Sequence, residues 1–158
     1  GDEYLPKGRL RESLSEIKRT DKIVVTKSNY INKEELKSIL DRLKKYNKEI
    51  FLSKYIEKSF YDQSQNAYDL SVIKSKNILL FSSIANPKVF YQTVERLEPL
   101  SIKDIMFTVH HIYSTEEIEE IISESKDYDY VITTEKDIVK INKKIDNLLV
   151  LKMEFTIQ

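Results

Sequence analysis

The sequence predicts an α/β fold, a three-layer α/β/α sandwich in which helices cover both faces of a mostly parallel sheet. The first observation behind this prediction is the alternation of short apolar stretches with segments of helical period along the chain. The second is that some apolar stretches are continuous, which is typical of strands buried on both faces. With 158 residues and no internal repeat, the chain has the length of one domain.

Six stretches have the composition of strands: "KIVVTK", "EIFLSKY", "NILLFSS", "IKDIMFTV", "YDYVITT" and "NLLVLKMEF". The β-branched run in "KIVVTK" predicts a strand buried on both faces, and "NILLFSS" is the clearest strand of this kind. "IKDIMFTV" places Met106 and Phe107 in the core. The more polar segment over residues 56–76 predicts an edge excursion or a hairpin.

Helices are predicted from apolar spacing and from residues that begin a helix. Leu10, Leu14 and Ile17 recur at i, i+4 and i+7, which predicts a short amphipathic helix near the start of the chain. Four later helices begin at pairs with the spacing of a capping residue and its partner: Asn32 with Glu35, Asn86 with Pro87, Ser114 with Glu117, and Thr134 with Asp137. The helices therefore fall between predicted strands, as the connections of a parallel sheet require.

Charge and composition exclude several classes of site. The 26 basic and 26 acidic residues cancel, which leaves no overall field to attract nucleic acid or an anionic surface. Cysteine is absent, so the chain has neither a disulfide framework nor a thiol nucleophile. Gly8 is the only internal glycine, whereas loops that cradle phosphates need several glycines for the backbone to approach the ligand. The chain therefore carries no glycine-rich nucleotide loop.

The two histidines, His110 and His111, are adjacent and follow a predicted strand. In open α/β sheets, ligands bind at the carboxyl ends of the strands, where the "SSIANP" and "TTEKD" turns also fall. Spacing alone favours an ordinary solvated loop between a strand and a helix. A metal site at the pair lacks a third ligand, and a hydrolase that uses both imidazoles is a further alternative.

Several motifs, in the same order along the chain, resemble the C-terminal half of tetraacyldisaccharide 4'-kinase, the lipid A kinase of Gram-negative bacteria. "LPKGRLRESLSEIKRTDKIVVTK" is similar to the family's LPxGxLRE…KRAD stretch and the strand after it. "LLFSSIANPKVF" resembles its SGIANPxxF turn, "FTVHHIYS" its FxDHHxYS turn, and "YVITTEKDIVKI" its TTEKDAVKL segment. The resemblance covers most of the chain and is weakest over residues 46–76.

The resemblance implies two α/β/α lobes with the active site in the cleft between them. Residues 1–158 would form the C-terminal lobe, with residues 1–20 as the junction between the lobes and the first helix. An N-terminal lobe before Asp2 would carry the P-loop that binds ATP and Mg²⁺, and a last helix would follow Gln158. The intact protein would be cytoplasmic and peripheral on the inner membrane, where the lipid A disaccharide precursor lies.

In the family, the first histidine of the FxDHHxYS turn lies at the catalytic centre, and this role carries over to His110. Neighbouring residues are implied as possible contacts with the cleft or the substrate: His111, Tyr113, Arg9, Arg11, Thr134, Glu135 and Asp137. Two positions depart from the family's motifs. Val109 replaces an aspartate that could orient the imidazole, and Ser83 replaces a glycine that would be a flexible backbone point.

The function implied by the resemblance is transfer of the γ-phosphate of ATP to the 4'-hydroxyl of tetraacyldisaccharide 1-phosphate, with the chain inactive on its own. The alternative is a non-catalytic α/β binding or interaction module on the same scaffold. A glycine-rich loop upstream in the reading frame discriminates between the two, since only the kinase needs one.

Overall fold

The computed structural model describes residues 3–8 and 10–158 and divides the chain into two compact units. Unit 1 comprises the residues up to Ile56 together with Phe155–Gln158, and unit 2 comprises Glu57–Glu154. The strands are β1 (Lys22–Val25), β2 (Glu49–Tyr61), β3 (Ala67–Tyr68), β4 (Asn77–Ser82), β5 (Ser101–Met106), β6 (Tyr130–Thr134) and β7 (Leu148–Ile157). The α-helices are α1 (Lys33–Lys44), α2 (Pro87–Glu95), α3 (Thr115–Ser125) and α4 (Glu135–Ile138). Short 3-10 helices cover Leu14–Arg19, Ser28–Tyr30 and Leu70–Ile73.

In unit 1, β1 pairs in parallel with the first part of β2, in register from Lys22 opposite Glu49 to Val25 opposite Leu52. The prediction that this strand is buried on both faces is wrong. Its residues alternate between exposed and half-buried, and Val24 is 47% exposed. Because β1 stands at the end of the strand order, its β-branched run reflects strand propensity rather than burial.

The first helix is shorter than the apolar spacing predicts. A 3-10 helix covers Leu14–Arg19, and the Ser13 side chain caps it. Leu10 lies outside this helix, because its N–H donates to the Glu3 carbonyl and its carbonyl accepts from the Leu5 N–H. These bonds commit the Leu10 backbone to the turn that precedes the helix.

The four later helices begin where the sequence predicts, directly after Asn32, Asn86, Ser114 and Thr134. The side chains of Asn32, Ser114 and Thr134 each accept a backbone N–H three residues on, whereas Asn86 makes no such bond. Pro87 occupies the first turn of α2, where its missing N–H costs nothing. Side-chain capping therefore accounts for three of these helix starts, and Pro87 favours the fourth.

The polar segment over residues 56–76 contains a hairpin, one of its two predicted forms. β2 runs on to Tyr61 and pairs antiparallel with β3, with Phe60 opposite Tyr68. The Asp62 carboxylate closes the turn by accepting from the backbone N–H groups of Ser64 and Asn66, at 2.8 and 2.9 Å. An aspartate that accepts hydrogen bonds from the turn backbone in this way is typical of such a turn.

In unit 2 the sheet is parallel over four strands, in the order β7-β6-β4-β5. β4 is central, and all of its residues after Asn77 are buried. Ile78 and Leu80 belong to an apolar cluster with residues of α2, whereas Leu79 and Phe81 belong to a second cluster with residues of α3. Helices therefore pack against both faces of the sheet, which confirms the predicted α/β fold with a mostly parallel sheet.

The end of β5 differs from the prediction at one residue. Phe107 packs against the cluster that contains residues of α3 and is half-buried. Met106, predicted in the core, is 64% exposed. It is the last residue of a strand at the end of the strand order, where few neighbours can cover a side chain.

Candidate functional site

Three turns meet at the carboxyl ends of β4, β5 and β6, as a parallel sheet predicts. Ser82, the last residue of β4, lies opposite Met106, the last residue of β5. Leu80 of β4 lies opposite Ile132 of β6. The turns over residues 83–86 and 107–114 and the turn at Thr134 therefore share one edge of the sheet, and both histidines lie there.

His110 has a left-handed backbone conformation, with φ of 63°. Its N–H donates to the Ser83 carbonyl at 3.2 Å, which ties the loop after β5 to the turn after β4. Positive φ is uncommon for residues with a Cβ, although histidine tolerates it better than most. The imidazole is exposed and makes no hydrogen bond to a described residue. The backbone is thus held while the ring stays accessible.

His111 differs from its neighbour, because its half-buried ring is engaged on three sides. It stacks on the Phe107 ring, with centroids 4.9 Å apart and an interplanar angle of 25°, and meets the Tyr113 ring edge-on at 5.3 Å. Its Nε2 lies 2.8 Å from Oε2 of Glu117, which also accepts from the Ser114 N–H in the capping box of α3. His111 therefore joins the loop to the start of α3.

A buried carboxylate, Asp137, lies against the turn after β4 and is 0% exposed. Its Oδ2 accepts from the Ser83 N–H at 3.1 Å and from the Thr134 hydroxyl at 2.8 Å. Its Oδ1 accepts from the Ser83 hydroxyl and from Lys140 Nζ at 3.0 Å. Lys140 also donates to the Ser83 hydroxyl oxygen at 2.6 Å. Ser83, Thr134, Asp137 and Lys140 form the Asp137 cluster.

Hydrogen bonding keeps Asp137 ionised in this cluster. Burial alone would raise the pKa of Asp137, but the hydrogen bonds from Ser83, Lys140 and Thr134 outweigh it and hold the pKa below its usual value. The carboxylate is therefore ionised at neutral pH. Lys140 supplies the opposite charge, and its own side chain is 28% exposed.

Tyr113 connects the Asp137 cluster to the aromatic residues of the loop. Its buried ring meets those of Phe81 and Phe107 edge-on, at 5.7 and 4.9 Å between centroids. Lys140 Nζ lies 5.7 Å from the centroid of the Tyr113 ring. The hydroxyl is buried without a hydrogen bond to any described residue, and burial raises its pKa. Tyr113 is therefore a neutral packing element between the cluster and His111.

The structure brings together five of the predicted site residues: His110, His111, Tyr113, Thr134 and Asp137. They connect through Ser83 and through the aromatic contacts. Glu135 is exposed, and its carboxylate accepts from the Met153 N–H at 3.4 Å. Arg11 is exposed in unit 1, and Arg9 lies outside the described residues.

Two members of the Asp137 cluster, Ser83 and Lys140, are absent from the predicted site. Lys140 follows Asp137 at i+3, a spacing at which helical side chains interact, so a sequence signal for this pair exists. Ser83 enters the sequence argument only as a missing glycine. Its φ is not in the left-handed region, so a side chain costs no strain there, and its hydroxyl adds hydrogen bonds to Asp137 and Lys140.

The residues that flank the histidine pair in the sequence are apolar rather than acidic. Val109, at the position of the family's aspartate, is 52% exposed, and Ile112 is 86% exposed.

Among the described residues, no three His, Cys, Asp or Glu side chains are grouped so that they could hold a metal ion. In the same part of the chain, no helix has the length and apolar character needed to cross a membrane.

Comparison with known families shows to which family the chain belongs. The family model described as Tetraacyldisaccharide-1-P 4'-kinase matches residues 1–158. The chain belongs to this family. The Tetraacyldisaccharide 4'-kinase of Bdellovibrio bacteriovorus is 30% identical over 151 residues, which cover 94% of this chain and 44% of that protein. The enzyme of the same name from Halothermothrix orenii is 31% identical over an alignment of 176 residues, which covers 98% of this chain and 46% of that protein.

The kinase family also supplies a solved structure with the same fold. LpxK from Aquifex aeolicus, crystallised in complex with ATP, superposes with a TM-score of 0.67 at 21% sequence identity. The match covers 99% of this chain and 44% of that chain. The chain thus spans less than half the length of these kinase relatives.

Proposed function

We propose that this chain is the C-terminal part of a kinase that transfers the γ-phosphate of ATP to the 4'-hydroxyl of tetraacyldisaccharide 1-phosphate. The observation that carries the proposal is the family match over residues 1–158, together with relatives of that name at about 30% identity. Because the chain spans less than half of those relatives, the proposal assigns activity to the intact protein. The isolated chain would be inactive.

His110 is the proposed general base. Its accessible imidazole can accept the proton of the 4'-hydroxyl while that oxygen attacks the γ-phosphorus and ADP leaves. Histidine is the side chain that proteins use most often as a general base. The hydrogen bond from the His110 N–H to the Ser83 carbonyl at 3.2 Å supports the assignment, because it restrains the backbone that carries the imidazole.

The other predicted contacts divide by accessibility. Glu135 and Arg11 are exposed, so both side chains are accessible from solvent. Tyr113 and Asp137 are buried, so their contribution would come through the residues that they hold. His111 is half-buried between Phe107 and Glu117 and supports the loop beside His110.

ATP and Mg²⁺ would be bound by the part of the kinase that lies outside this chain. Gly8 sits in a turn closed by its N–H to the Tyr4 carbonyl at 2.8 Å, and a Cβ at this position would lie 2.0 Å from the Glu3 carbonyl oxygen. Its bare backbone is therefore used for chain packing rather than for a phosphate. Among the described residues, no three side chains are grouped as ligands of a metal ion.

The remaining lobe and the acylated substrate are the proposed partners. Large apolar side chains are exposed beside the carboxyl ends of the strands: Met106, Val109, Ile112 and Val139. Exposed apolar patches commonly mark a surface that binds another protein or a membrane. The intact protein would work peripherally at the cytoplasmic face of the inner membrane, where its lipid A disaccharide precursor lies.

The proposal is tested by a phosphoryl-transfer assay on the full-length protein that contains this chain. With γ-labelled ATP, Mg²⁺ and tetraacyldisaccharide 1-phosphate, we expect label to appear on the disaccharide. An acceptor that already carries a 4'-phosphate is the matched control and should take up none. The isolated chain, assayed alongside, should transfer no label. Absence of transfer by the full-length protein would contradict the kinase assignment.

A further inference from the structure

We infer that Asp137 is a positioning residue for His110, which it holds through the backbone of Ser83. This inference rests on the proposed role of His110 as the general base. It assigns Asp137 a function without contact to the substrate, in keeping with a side chain that is 0% exposed.

The first link joins Asp137 to Ser83. The two carboxylate oxygens hold the same residue at two points: Oδ2 accepts the Ser83 N–H at 3.1 Å, and Oδ1 accepts the Ser83 hydroxyl. Thr134 and Lys140 each donate to one of these oxygens as well, at 2.8 and 3.0 Å. The carboxylate is therefore fixed from both sides, and so is the orientation of Ser83.

The second link joins Ser83 to His110. The Ser83 N–H and carbonyl flank one Cα, so fixing the first restrains the direction of the second. That carbonyl accepts the His110 N–H at 3.2 Å, at the point where the loop takes a φ of 63°. A left-handed conformation of a residue with a Cβ persists only where its surroundings impose it. The bond to Ser83 is one such constraint, and Asp137 holds it in place.

A neighbouring bond provides an internal reference. The Phe107 N–H donates to the Ser82 carbonyl at 3.0 Å, which continues the pairing of β4 with β5 and involves no member of the Asp137 cluster. Loss of Asp137 should therefore loosen the loop at His110 and leave it attached at Phe107. A general loss of stability would affect both amides alike.

The test uses the full-length protein with Asp137→Asn, which keeps the side-chain shape but removes the charge and one acceptor. With ¹⁵N-labelled histidine and phenylalanine, we expect the His110 amide to exchange about tenfold faster while the Phe107 amide is unchanged. We expect kcat to fall roughly 10–100-fold, as small displacements of reacting groups do, with KM for both substrates unchanged.

Asn147→Ala is the matched control. Asn147 donates to the carbonyls of Ser125 and Tyr128, both at 2.9 Å, and lies at the amino end of β7. This variant should lower Tm while kcat and His110 exchange stay at wild-type values. If Asn147→Ala and Asp137→Asn lowered Tm equally and also lowered kcat equally, Asp137 would have only a role in stability. That result would overturn the inference.

Unchanged His110 exchange or unchanged kcat in folded Asp137→Asn would also overturn it. Should that variant not fold, Thr134→Val removes one donor to Oδ2, and it must shift exchange and kcat in the same direction by a smaller factor. The exchange readout is independent of the reaction. If His110 proved dispensable for turnover, its proposed role as the general base would fail, whereas exchange at its amide would still show whether Asp137 holds the loop.

Discussion

Neighbouring serines at the end of β4 have opposite environments, and the difference explains how a charge is kept in the interior. The hydroxyls of Ser82 and Ser83 are both buried. Ser83 donates to Asp137 and accepts from Lys140, whereas the Ser82 hydroxyl has no partner among the described residues. The pKa of Asp137 is lower in the folded protein than in the unfolded chain. The ionised carboxylate therefore stabilises the fold above the unfolded pKa of about 3.9, and this stabilisation is lost as the pH falls through the pKa of the folded protein.

The first prediction compares these serines. Ser83→Ala should lower the free energy of unfolding at neutral pH by about 1–3 kcal/mol, because a buried carboxylate and an ammonium each lose a hydrogen bond. Ser82→Ala should be neutral or slightly stabilising, because it removes a buried hydroxyl that has no partner here. Urea unfolding of both variants measures the difference. Equal effects of the two substitutions would contradict the assigned contacts.

At the scale of elements, α3 begins with a reciprocal capping box. Ser114 accepts the Glu117 N–H at 3.2 Å, and the Glu117 carboxylate accepts the Ser114 N–H at 2.8 Å. The same carboxylate lies 2.8 Å from His111, so the helix start also anchors the loop that carries the histidines. Those bonds to Ser114 and His111 lower the pKa of Glu117.

The second prediction concerns this cap. Ser114→Ala should destabilise the protein by about 1 kcal/mol, the usual effect of losing an N-cap side chain. Ser123→Ala is the control on the same helix, because Ser123 is exposed in its interior and alanine favours helix there. It should leave Tm unchanged or raise it. A Tm for Ser114→Ala that matches that of Ser123→Ala would show that the cap contributes nothing.

Elements that local chemistry decides could be predicted from the sequence. The helix starts after Asn32, Ser114 and Thr134 follow from side chains that bond to nearby N–H groups. The burial of β1 could not be predicted, because the same β-branched run suits a central strand and an end strand. The extent of the first helix also could not be predicted, since Leu10 is held by backbone bonds to Glu3 and Leu5.

The candidate site also has one part that the sequence predicts and one part that it does not. The topology of a parallel sheet predicts that the turns carrying His110 and Thr134 share an edge, and the structure confirms it. The side-chain contacts across that edge depend on tertiary packing. Ser83 and Lys140 join Asp137 over sequence separations of 54 and 3 residues, and only the short separation has a signal in the sequence.

At the scale of the whole molecule, the apolar core is concentrated in one unit. The buried apolar residues found in the described part of the chain run from Phe60 to Leu151, within unit 2. Unit 1 contributes no such residue in its described part, although α1 is amphipathic. Regions with few buried apolar side chains open more readily than the core. The turns that carry the histidines therefore rest on the more strongly packed unit.

This chain spans less than half the length of the relatives that it matches, so the proposed activity belongs to the intact protein. The measurement that tests the central claim most directly is therefore turnover of the full-length kinase with His110→Ala, beside His111→Ala as the matched control. We predict that His110→Ala lowers kcat roughly 10²–10⁴-fold, the usual contribution of a positioned general base. His111→Ala should cost much less, because that ring packs against Phe107 and Glu117. Wild-type turnover in a folded His110→Ala variant, or a larger loss in His111→Ala, would contradict the account.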